Sequence, residues 1–61
     1  MSLILLLDEV EHLHGVSTRL KELADQHEHV TTELLTIAGN VHNTATLLAV
    51  VLATKFQRLP S

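Results

Sequence analysis

From Leu13 onward, apolar side chains return at alternating steps of three and four residues. The series runs Leu13, Val16, Leu20, Leu23, His27, Val30, Leu34, Ile37, Val41, Thr44, Leu48 and Val51. Ten of these twelve positions are apolar and the phase never slips, so the series reads as the a and d positions of a coiled coil or helical bundle. The adjacent e column widens the stripe with Val10, Ala24, Ala38, Ala45, Leu52 and Leu59. A stripe of a, d and e suits a bundle in which each helix touches two neighbours, and the alanines allow close approach. Helix breakers are sparse: Pro occurs only at position 60, and Gly only at 15 and 39, off the stripe at c and f. Each glycine weakens a helix by about 1 kcal/mol relative to alanine without interrupting the buried face. Ser2 offers an N-cap and Pro60 a stop, so the pattern predicts one helical domain over residues 3–59.

The polar stretch ADQHEHV, residues 24–30, decides the layout. A loop would be expected to shift the apolar phase, and no shift occurs, so the pattern favours an all-α fold built on one long helix in a coiled-coil-like multi-helix assembly. A helical hairpin that dimerises to a four-helix bundle is the first alternative. Asp25 and Glu28 have the spacing of a capping box, and the apolar ends Leu3–Leu7 and Leu47–Ala53 mirror each other about His27. An antiparallel pair of straight helices would also bring those ends together. The remaining layout takes Gly15 and Gly39 as stops, with Ser17 or Thr18 and then Asn40 as the next N-caps, giving a three-helix bundle. The unbroken phase counts against both alternatives.

Composition adds pressure toward assembly. A 61-residue chain is one domain at most, and domains this small bury only about 60% of their unfolded surface. No cysteine is present to staple it, while 46% of the residues are hydrophobic. The net charge of −3 and the scatter of Arg19, Lys21, Lys55 and Arg58 leave no basic stripe for phosphates. Phe56 is the lone aromatic residue, so base stacking is also disfavoured. The apolar start lacks the basic region and cleavage site of a secretory signal, which sets the expectation of a soluble intracellular chain with no particular compartment. The run Ala45–Ala53 is shorter than the roughly 20 residues of a membrane span, and extending it backwards brings in Asn40, His42 and Asn43. Lys55 and Arg58 beside an apolar end leave membrane-surface binding as a disfavoured option.

Candidate chemistry is thin. The pairs His12/His14 and His27/His29 are spaced by two, which on a helix turns the rings about 200° apart, so neither pair chelates a metal. A metal site would need histidines from different helices, and no metal or cofactor is expected. His27 falls at an a position, where one polar residue fixes register at a cost in stability; Thr44 at d satisfies its hydroxyl within its own helix. Asp8, Glu9, Glu11, Glu22, Asp25, Glu28 and Glu33 spread over the polar faces, and a uniform stripe offers no concave pocket for catalysis, so an enzyme is not expected. The run LILLL, residues 3–7, formally matches an L-x-x-L-L docking helix, but end-packing against Leu47–Ala53 of another helix accounts for it more simply.

The sequence therefore predicts a non-enzymatic oligomerisation or scaffolding segment that joins itself, or other helical chains, through Leu13, Val16, Leu20, Leu23, His27, Val30, Leu34, Ile37, Val41, Leu48 and Val51. The alternative is a small regulatory binding module, a dimeric hairpin recognising a protein or RNA. A hairpin dimer of this length resembles the RNA-binding Rop-type four-helix bundles in length and patterning, with no shared motif, and nucleic acid remains the disfavoured partner.

Overall fold

In a computed structural model, which describes residues 2–56, the chain folds back on itself. Helix α1, Leu3–Gln26, is followed by His27, a single 3-10 turn at Glu28–Val30, and helix α2, Thr31–Phe56. Arg58, the e-position Leu59 and the proposed stop at Pro60 lie outside the described residues. Ser2 has the extended backbone of an N-cap (φ −84°, ψ 129°), and its carbonyl accepts the Leu6 N–H at 3.2 Å. Its hydroxyl makes no capping bond.

The single long helix is corrected at His27, whose φ of −134° and ψ of 81° lie outside the helical region. Stopping a helix frees carbonyls that need new donors, and local side chains supply them. The Ala24 carbonyl, which a continuing helix would pair with the Glu28 N–H, accepts instead the Thr31 hydroxyl at 2.7 Å and the His27 N–H at 3.4 Å. The same hydroxyl lies 3.2 Å from the His27 carbonyl, which also accepts the Val30 N–H at 3.0 Å. The His27 ring donates through Nδ1 to the Leu23 carbonyl at 2.8 Å. Asp25 belongs to the last turn of α1, so the capping-box spacing with Glu28 is not what starts α2. The three-helix layout is corrected as well. No residue described has positive φ, so neither Gly15 nor Gly39 adopts the left-handed conformation of a helix-terminating glycine, and both helices pass through them.

The two arms meet along the e column. Among the described residues the buried ones are Val10, Ser17, Ala24, Ala38, Ala45 and Leu52, every one at e, and Thr31, the e residue between the arms, is half-buried. Small side chains let the backbones come close, and the Ser17 hydroxyl uses that proximity to donate across the seam to the Ala38 carbonyl at 2.8 Å. Among the described residues no buried side-chain polar atom lacks a partner. Among the same residues no large side chain is fully buried. The core is thus a narrow alanine and serine seam, closed at its open end by Val10 and Leu52.

Candidate functional site

Helix geometry fixes what flanks that seam. With e pointing at the other helix, column a lies roughly 50° and column d roughly 100° to one side, and column b roughly 50° to the other. Helix α2 runs antiparallel, so its sense of rotation seen from the same end is reversed, and like columns fall on the same side of the hairpin. The a and d residues of both helices therefore share one face. The b residues share the opposite flank, in agreement with the contact of His14 and His42, both at b, whose ring centroids are 5.0 Å apart.

The a/d face gathers nearly all of the residues that the sequence assigns to an interface. Leu13, Val16, Leu20 and Leu23 of α1 and Leu34, Val41 and Leu48 of α2 are half-buried. Val30, Ile37 and Val51 are 38%, 48% and 50% exposed. The face is interrupted by Glu9 in α1 and by Thr44 and Lys55 in α2, at d, d and a and all exposed; the Thr44 hydroxyl turns to the Asn40 carbonyl at 2.9 Å, as expected. His27 is the exception. It is exposed and caps α1 at the turn, so within the chain it is not a buried register-setting layer.

Sequence reasoning missed Ser17 and Thr31, which fasten the seam and the turn. Both sit at e, seven residues from a seam neighbour on each side, and carrying the e column through every heptad would have found them. The apolar ends do meet, but within one chain. Leu3 and Leu7 of α1 and Ala49, Leu52, Ala53 and Phe56 of α2 line a recess of about 120 Å³ at the open end. Six apolar side chains bring no acid, base or nucleophile into it. Of the L-x-x-L-L residues, Leu6 is half-buried while Leu3 and Leu7 are 37% and 45% exposed.

Glu28–Phe56 is also long and apolar enough, with a mean hydropathy of 1.4 over its most apolar 18 residues, to cross a membrane by length and composition alone. The short run Ala45–Ala53 did not reveal this, because Asn40, His42 and Asn43 lower the hydropathy of the longer window without cancelling it. Compared with protein-family models, curated proteins and solved structures, the chain matches none.

Proposed function

We propose that the chain is a non-enzymatic self-association module in which two hairpins pair through their a/d faces into a four-helix assembly. One observation carries the reading: the buried residues are small while the leucines, isoleucine and valines of the a/d columns stay half-buried or exposed. Removing apolar surface from water contributes about 25 cal/mol per Å², and the ordering of a short chain costs about 1.5 kcal/mol per residue. An alanine seam buries little of that surface, and a second copy would bury what it leaves. The dimensions are adequate. Helices of 24 and 26 residues are about 36–39 Å long, and a pair about 20 Å wide presents on the order of 750 Å², close to the ~800 Å² per partner of a standard interface.

A second reading rests on the apolar length of Glu28–Phe56, which would let the same hydrophobic residues face lipid. Thermal melts over a hundredfold range of concentration test the first reading, with Ile37→Glu as the probe. Ile37 is 48% exposed in the hairpin, so a glutamate there costs a lone hairpin little but places a charge inside a paired face. The native chain should melt at higher temperature as concentration rises, and the variant should lose that dependence. Concentration-independent melting of the native chain overturns the proposal. Co-sedimentation of the helical chain with neutral lipid vesicles would favour the membrane reading, and a salt-sensitive gel shift with RNA would favour the regulatory alternative.

A further inference from the structure

The histidine pair on the other flank is unused by any of this. We propose that His14 and His42 form a cross-helix site for one divalent transition-metal ion of the zinc and copper class. His12 and His14 point apart on α1 and His27 and His29 belong to the turn, but the fold brings one ring from each helix together, with centroids 5.0 Å apart and planes inclined at 57°. Two imidazoles on one ion have metal–nitrogen bonds of about 2.0–2.1 Å, which puts their centroids about 4.5 Å apart at a right angle and about 5.1 Å apart at a tetrahedral angle. The observed spacing lies in that interval.

Among the described residues neither ring is held by a hydrogen bond. The hydroxyls one turn further along, Thr18 and Thr46, bond to the carbonyls of His14 and His42 at 3.1 Å each, so they do not occupy the ring nitrogens. His27, by contrast, already spends Nδ1 on a carbonyl. His14 is half-buried and His42 exposed, so an ion and its waters can enter. Because the b flank lies away from the a/d face, the site stays open when two hairpins pair and does not depend on their pairing.

Among the described residues no group of three or more histidine, cysteine or acidic side chains gathers around an ion. The protein therefore gives two ligands and solvent completes the shell, an open site weaker than four-ligand structural zinc sites. Copper(II) should bind more tightly than zinc or nickel, following the general order for nitrogen ligands. An ion held by one ligand from each helix should bind the closed hairpin more tightly than the unfolded chain, so it acts as a staple between α1 and α2.

Titration of the full chain with zinc chloride, followed by calorimetry and melting, tests the site. One ion per chain and a zinc-dependent rise in melting temperature are expected. Both should be lost in His14→Gln and in His42→Gln and kept in His12→Gln and His29→Gln. In the native chain, substoichiometric copper(II) should broaden the ring resonances of His14 and His42 together, before those of His12, His27 and His29. The site is refuted if zinc leaves the native melt unchanged, if the shift survives in either ligand variant, or if copper broadens another histidine first.

Discussion

Two hydroxyl groups hold the hairpin in shape. Thr31 replaces the backbone donor that the Ala24 carbonyl loses when α1 ends, so Thr31→Val should lower stability by about 1 kcal/mol, the usual net worth of such a bond. Thr36→Val, which removes an ordinary bond to the Thr32 carbonyl four residues back, should change it by less than about 0.5 kcal/mol. Urea unfolding of the two variants separates a turn-specific role from a general loss of hydroxyls. Gly15 and Gly39 give the opposite sign. Both lie in regular helix, and a Cβ built on either meets nothing within 4 Å. Gly15→Ala and Gly39→Ala should each stabilise the hairpin by about 0.5–1 kcal/mol in the same assay. That value follows from the sequence alone once a helix is assumed. The role of Thr31 does not, since it depends on a carbonyl that is free only because the helix breaks.

At the level of the helices, side-chain size along the e column sets how closely α1 and α2 approach. Ala38→Leu should force them apart and cost about 1–3 kcal/mol by overpacking, with the melting temperature falling even at low concentration. Ser17→Ala should cost only about 0.5–1.5 kcal/mol, the net value of its bond to the Ala38 carbonyl. If Ala38→Leu melts like the native chain, the seam has been assigned to the wrong column. The helical class, the absence of breaks at the glycines and the small e residues are all legible in the sequence. The reversal at His27 is not. Ala24 and Thr31 are seven residues apart, so the turn consumes one heptad, and the apolar phase emerges from it as it would from a straight helix. Unbroken periodicity therefore cannot distinguish a coiled coil from a hairpin whose turn spans one repeat. The discriminating information is the hydrogen-bonding capacity of Thr31 and His27, which periodicity ignores.

For the molecule as a whole, the proposed pairing would divide the work between a seam of small residues that closes the hairpin and a flank of large ones that joins two copies. The sequence assigned the a/d series to an interface without showing that e would be spent inside the chain. Only the three-dimensional fold separates the two, because both columns fall on one broad apolar stripe until a second helix takes up its centre. Sedimentation equilibrium of the native chain tests this division most directly. Two hairpins joined through Leu13, Leu20, Leu34, Val41 and Leu48 with their d-column neighbours should sediment at twice the 6.7 kDa of one chain, and Ile37→Glu should shift the equilibrium to the single-chain mass. A native chain that stays helical at the single-chain mass across the micromolar to millimolar range would contradict it.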